Sequence, residues 1–303
     1  MLYFLQQVLN GLHIGAIYAL LAFGYALING VLHRTNLAHG AIFAFSGQTM
    51  ILVAVYGWQT LWLTLPATIA VAIIAALAYS ALIGMVLSRN VFEPLAGRSP
   101  NTIVAATLGV SIVLMELSRI AADTHDFWLP PLLSTPIVFT QGGGYQVTLT
   151  VMQLLNCLLI LATLAVAGLV LARSHFGREW RAVSDDPAAA ALCGVDATRV
   201  FRATVLVGAV TAALAGILAA LYFGNIGFGS GLVFGLKILF VTAIGGYHAP
   251  TRAALGAFAF GIAESLWSGY FPIEWRDAWM FALLAAVLVL RMAGQETQKT
   301  AQP

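Results

Sequence analysis

Three ionisable residues sit inside long apolar runs of the sequence: Glu116, Lys237 and Glu264. A charge at the centre of a membrane-spanning helix costs about 2.5 to 3.5 kcal/mol on insertion scales, so each should face protein, water or another charge. Two assignments meet that demand. One is structural, with Lys237 paired to a glutamate or snorkelling from a helix end; the other is contact with a solute on its way across. A second polar constellation, His33-Arg34-Thr35-Asn36 followed by His39, breaks the apolar pattern near the N-terminus. A zwitterionic solute needs polar groups for its ammonium and its carboxylate, and Asn36 and His39 beside a broken helix could supply them. The alternative for His39 is to close a helix end by hydrogen bonding. Tyr18, Phe23 and Tyr25 read as packing or interfacial anchors. Enzyme chemistry finds little support, since there is no H-E-x-x-H pair and no convincing G-x-S-x-G nucleophile turn. A G-x-x-x-x-G-K-[ST] loop is also missing, so this chain does not cradle ATP phosphates in that manner. Cys157 lies in an apolar run and Cys193 in a polar connection, a separation that fits neither a metal site nor a disulfide.

The elements that carry these residues follow from composition. Of 303 residues, 60% are apolar and 9% charged, and the mean hydropathy is +0.90. A soluble domain needs roughly 25% charged residues, so this is an integral membrane protein. The net charge of +2 is too small and too dispersed for nucleic acid to be a partner. No basic residue precedes Arg34, so the N-terminus lacks the positive flank of a cleaved signal peptide. At about 20 residues per crossing, nine candidate segments appear: 12–32, 38–56, 63–87, 103–120, 151–171, 201–223, 232–244, 253–268 and 279–290. The second, seventh, eighth and ninth are short or Gly-rich and could be tilted, broken or re-entrant. The expected fold is an all-α polytopic transmembrane helix bundle of eight or nine membrane segments, spanning residues 1–292, with a short cytoplasmic tail at 293–303. With nine crossings and the N-terminus outside, all but three of the 14 Lys and Arg fall on the inner side, which leaves Arg119 and Arg276 outside and Lys237 within a span. The positive-inside rule therefore favours an outer N-terminus and an inner C-terminus. Small-residue ladders at Gly11, Gly15 and Ala19, at Gly208, Ala212 and Gly216, and at Ala253, Ala257 and Gly261 would let helices pack closely without a hydrophobic drive.

Two connections stand out. The outer one, 121–150, carries Pro130, Pro131, Pro136 and Gly142-Gly143-Gly144, which oppose a continuous helix and suggest a folded lid or docking surface. The cytoplasmic one, 173–202, contains Asp186 as a helix cap, Pro187 at the first helical position, an alanine run, and Gly194 as a left-handed stop. A helix of about two turns is marginal in water, and its smooth surface of Ala188 to Ala191 suits a groove in a partner. A plain solvated turn would explain the caps equally well.

The segment Gly177-Arg178-Glu179-Trp180-Arg181-Ala182, with Asp186, Ala190 and Gly194-Val195, resembles the cytoplasmic loop of the LivH-like permeases of branched-chain amino acid ATP-binding cassette importers. Asn36-Leu37-Ala38-His39-Gly40 is similar to that family's Asn-Phe-Ala-His-Gly stretch, and Gly235-Leu236-Lys237 with Gly245-Gly246 to its Gly-x-Lys and Gly-Gly segment. The similarity runs from about Leu2 to Leu290 and includes Glu264 and Trp275-Arg276-Asp277. It implies a bacterial inner-membrane permease that works by alternating access on branched-chain or related small amino acids. It further implies a second related permease subunit, two cytosolic ATP-binding subunits and a periplasmic substrate-binding protein as partners. No cofactor is implied on this chain, ATP being used by the partner subunits. Asn36, His39, Gly40, Lys237, Gly245, Gly246 and Glu264 then become candidates for the substrate pathway. Arg178, Arg181, Asp186, Pro187, Ala190 and Gly194 become candidates for coupling to the ATPase. The sequence departs from the family at Ala41, where Glu is common, and around His248 and Thr251-Arg252, which bears on substrate and gating. The competing reading is a stand-alone channel or secondary transporter with an ion relay through Glu116, Lys237 and Glu264.

Overall fold

The computed structural model describes residues 1–95, 98–246 and 249–300, with the side chains of Pro100 and residues 291–300 left aside. His248, singled out above, lies outside the described residues. Helices α1 (Leu2–Leu32), α2 (Ala38–Gln59) and α3 (Leu65–Leu87) lead through a π-turn at Ser88–Phe92 into the short α4 (Glu93–Leu95) and then α5 (Pro100–Ala121). Strands β1 (Pro136–Gly142) and β2 (Tyr145–Thr150) follow, and then α6 (Val151–Arg173), α7 (His175–Asp185), α8 (Pro187–Leu192) and α9 (Ala197–Phe223). The chain closes with α10 (Ser230–Gly245), α11 (Pro250–Tyr270), a 3-10 turn at Ile273–Trp275 and α12 (Arg276–Thr300).

Each of the nine apolar segments is a helix. Six of the described helices are long and apolar enough to cross a membrane alone, and α10 with α11, turned by 120° between them, raises the number to seven if the pair counts as one span. At 16 residues α10 reaches about 24 Å, short of the roughly 30 Å hydrocarbon core. The second segment is not short: α2 has 22 residues and starts deep inside the bundle, where the His39 ring bonds the Leu21 carbonyl at mid-length of α1.

Burial sorts the helices into a centre and a rim. Almost every residue of α1 from Gly15 to Gly30 is buried, so this helix is apolar all round and sits at the core. α2 and α9 join it, whereas α3, α5 and α6 keep Ile74, Leu117, Leu158 and Val166 exposed, an apolar perimeter suited to lipid. The small-residue ladders lie where backbones meet. α1 and α11 run antiparallel, with Gly11 against Ile262 and Ser265, and Gly15 against Phe258 and Gly261. A Cβ added at Gly15 would stand 2.5 Å from the Phe258 carbonyl oxygen, so no larger residue fits without moving a helix.

The 121–150 connection holds the one departure from an all-α chain among the described residues. β1 and β2 form an antiparallel hairpin, Pro136 opposite Thr150 and Gly142 opposite Tyr145. Gly143 and Gly144 both take positive φ, 58° and 79°, as a tight two-residue turn matched to strand twist requires. The Gln6 side chain of α1 completes the edge of β2, accepting from the Thr148 N–H at 2.8 Å and donating to its carbonyl at 2.9 Å. Val147 and Leu149 turn inward.

Gly15→Leu should lower the thermal unfolding temperature of the detergent-purified protein by several degrees, since overpacking costs about 1–3 kcal/mol or more. Gly109→Leu, at a helical glycine with no atom within 4 Å of an added Cβ, should leave it nearly unchanged. Equal effects of the two would refute the close-approach argument.

Candidate functional site

A cavity of about 600 Å³ lies among α1, α9, α10, α11 and the start of α12. Its walls come from the helix halves toward the bundle end that carries the hairpin: Ile14, Ile17 and Tyr18 of α1, Ala219 and Phe223 of α9, and Ser230 to Lys237 of α10. Asn225, Gly227 and Gly229 of the α9–α10 connection complete the rim.

One wall is charged. Lys237 Nζ lies 2.7 Å from Glu264 Oε1 and 2.9 Å from Asp277 Oδ1. Arg276 Nε lies 3.4 Å from the same Glu264 oxygen and 3.3 Å from Asp277 Oδ1. Tyr18 donates its hydroxyl to Glu264 Oε2 at 2.8 Å. Two cations and two anions sum to zero formal charge, which is how a charged group survives in an apolar bundle. The Lys237 and Glu264 side chains are 3% and 5% exposed, while those of Arg276 and Asp277 are 35% and 47% exposed. The cluster is therefore graded, sealed toward α1 and open toward the cavity. The Phe234 ring, 5.9 Å from Lys237 Nζ, adds an aromatic face beside the ammonium. Opposite the charges the lining is aliphatic and aromatic, with Ile14, Ile17, Phe43 and Val233.

Of the residues singled out in the sequence, Lys237 and Glu264 meet here. Asn36, His39, Gly40, Gly245 and Gly246 do not line the cavity. Asn36 accepts from the Ala38 N–H at the start of α2, and His39 donates from Nε2 to the Leu21 carbonyl at 3.0 Å, which fixes its proton on that nitrogen. Gly40 is the point where α2 meets Gly231 and Gly235 of α10, and Gly245 packs on the Ala253 backbone. Gly246 takes a positive φ of 98° at the end of α10. Glu116 belongs elsewhere: it pairs with Arg119 one turn on at 2.6 Å, partly exposed on α5. Tyr18, expected as a packing or anchoring residue, instead bonds the buried carboxylate. Its spacing from Glu264 in the sequence carries no signal for that pairing. Arg276 and Asp277 stood out in the sequence as part of the resemblance before the last apolar run, with no sign that they meet Lys237 and Glu264.

The 173–202 connection forms a second candidate region at the opposite bundle end. α7 is pinned to the last turns of α1, where Trp180 donates to the Leu27 carbonyl at 3.1 Å and Ser184 to the Gly30 carbonyl at 2.7 Å. Arg181 caps the end of α6 through the Leu171 carbonyl at 2.6 Å, and Arg178 bonds the Arg173 carbonyl at 3.2 Å. Asp186 caps α8 by accepting from the N–H groups of Ala188 and Ala189 at 2.8 and 3.0 Å. Pro187 opens α8, and Gly194 at φ 84° ends it. Ala190 does not face outward as a docking residue would. It is 5% exposed and packs with Trp180, Val183 and Val200, because a six-residue helix must bury one side to persist. Pro187, Ala188, Ala189, Ala191 and Leu192 are exposed, Leu192 at 91%.

Removing one member of the central ion pair strands its partner at a typical cost of about 3–5 kcal/mol, whereas replacing both with apolar residues is close to neutral. Lys237→Met and Glu264→Leu should each sharply reduce thermal stability, and the double variant should recover most of it. Additive losses would show that the two residues do not form a mutually dependent pair.

A family model described as branched-chain amino acid transport system / permease component matches residues 7–288. The chain is 31% identical over 297 residues to the high-affinity branched-chain amino acid transport system permease protein LivH of Escherichia coli, covering 97% of this chain and 95% of the relative. The LivH of Salmonella typhimurium gives the same figures. BraD of Pseudomonas aeruginosa, also named a permease protein of such a system, is 30% identical over 298 residues, covering 96% and 95%. No solved structure matches. A multi-pass helical bundle matched over nearly its whole length by this model and these relatives belongs to the branched-chain amino acid transport permease family.

Proposed function

We propose that this chain is the transmembrane permease subunit of an ATP-driven importer in a bacterial inner membrane, and that it passes branched-chain or closely related small amino acids by alternating access. The observation that carries this reading is the union of a charge-neutral polar cluster and an apolar wall in one cavity, on a chain whose relatives are named branched-chain amino acid permeases. A solute with a charged head and an aliphatic side chain meets both surfaces there. The substrate path runs past Lys237 and Glu264, joined by Tyr18, Arg276 and Asp277, while Asn36, His39, Gly40, Gly245 and Gly246 hold the surrounding helices in register.

Energy would come from two separate cytosolic ATP-binding subunits, because the sequence carries no phosphate-cradling loop of its own. The element suited to receive their motion is α8. It is short, capped at both ends, smooth on its outer face, and joined to the central helix α1 through α7, so a push on it is delivered to the bundle core. A substrate-binding protein would deliver solute at the hairpin end, and a second related permease would complete the pore. The hairpin end then faces the periplasm, consistent with the basic residues Arg34, Arg173, Arg178 and Arg199 gathering at the other end.

Leu192→Glu places a charge on the most exposed apolar position of α8, where 91% of the residue is already accessible. The variant should insert and unfold like the parent, lose co-purification of the ATP-binding subunits, and reduce ATP-dependent leucine uptake by at least tenfold. Uptake that persists in Leu192→Glu vesicles, or in vesicles depleted of ATP, would reject coupling through this surface.

A further inference from the structure

The cluster that lines the cavity is asymmetric. Glu264 engages both carboxylate oxygens, Oε1 with Lys237 and Arg276 and Oε2 with Tyr18, and its side chain is 5% exposed. Asp277 carries an equal charge, but it is held through Oδ1 alone and is 47% exposed. Glu264 is the fixed partner of Lys237, and Asp277 the exchangeable one.

A solute that takes the place of Asp277 has to supply a negative charge, since Lys237 at 3% exposure would otherwise keep only Glu264, whose oxygen it shares with Arg276. A carboxylate of the solute meets that condition. Once displaced from Lys237, Asp277 keeps only the Arg276 guanidinium, which Glu264 shares, so three carboxylates would face two cations and a second positive charge is favoured there. The exchange is neutral overall only when the solute brings one negative and one positive charge within a few ångströms, as an α-amino acid does. A lone acid would leave the cluster with one carboxylate in excess, and a lone amine would find both carboxylates already paired.

We propose that Asp277 and Lys237 form a partner-exchange site that admits zwitterionic α-amino acids, with the solute carboxylate replacing Asp277 on Lys237 and the solute ammonium taken up by the freed Asp277. The inference rests on the reading of this chain as an amino-acid permease and adds which atoms recognise the backbone of the substrate. No covalent change occurs; two ion pairs are traded for two others. The aliphatic side chain is left against Ile14, Ile17 and Val233.

The test is direct binding of radiolabelled L-leucine to the full-length chain in nanodiscs, with its co-purifying membrane subunits and without any binding protein. Two competitors each lack one charge: 4-methylpentanoate has no ammonium and 3-methylbutylamine no carboxylate. Each should compete at least about tenfold more weakly than leucine, because each forfeits one charge-assisted hydrogen bond. Asp277→Asn should weaken leucine binding by a similar factor while still unfolding cooperatively, and Glu274→Gln, an exposed acid three residues away, should bind as the parent does. Equal competition by the three compounds, parental affinity in Asp277→Asn, or no specific leucine binding would overturn the exchange site. ATP-driven leucine uptake by the complete parent system separates the two claims: its presence upholds the permease reading whatever the competitors do, and its failure rejects that reading.

Discussion

The constraint on which this protein turns is the expense of a charge in an apolar medium. Lys237 and Glu264 are nearly inaccessible, and the charge on each is tolerable only because the other lies 2.7 Å away. Everything near them serves that pairing. Tyr18 of α1 donates to the second carboxylate oxygen, and Arg276 and Asp277 bring the count to two of each sign. The cluster thereby ties α1, α10, α11 and the start of α12 together at a single point. Side chains of opposite charge across these helices provide directional contact in surroundings where apolar surface alone gives no preference for one helix over another.

Close backbone approach is the second requirement, and it explains the glycine content. α1 can run through the core only because Gly11 and Gly15 admit α11. The same logic holds for Gly40, where the backbones of Gly231 and Gly235 in α10 lie too close for a side chain. The outer helices then need no specific inner face and present aliphatic side chains outward. A central helix rigidly packed on α7 and α11 also gives a physical route between the two bundle ends, through Trp180 and Ser184 at one and Tyr18 at the other. Two discrete arrangements of that helix would be enough to link events at α8 to the cavity.

Much of this was legible in the sequence because membrane residence enforces simple patterns. Long apolar runs located all nine helical segments, and ladders of small residues marked their contacts. The caps of α8 were readable as well, since Asp186, Pro187 and Gly194 each have a local reason to be where they are. What escaped was decided by tertiary placement. The alanine run of α8 did not reveal that Ala190 points inward, because four alanines carry no periodicity. The hairpin was missed since three consecutive glycines read as a break; only the positive φ of Gly143 and Gly144 together with the reach of Gln6 makes them a turn. Pairing of Glu264 with Tyr18 spans 246 positions, and no spacing rule connects residues that far apart.

The charged cluster faces the cavity at the hairpin end of the bundle, so solvent should reach it from that side. Ser230, on the cavity wall, can be replaced by cysteine, and the exposed native Cys193 reports the opposite end. A membrane-impermeant maleimide added to intact spheroplasts should label Ser230→Cys and spare Cys193, with the pattern reversed in inverted vesicles. Labelling of position 230 from the Cys193 side alone, or from neither side, would contradict the account.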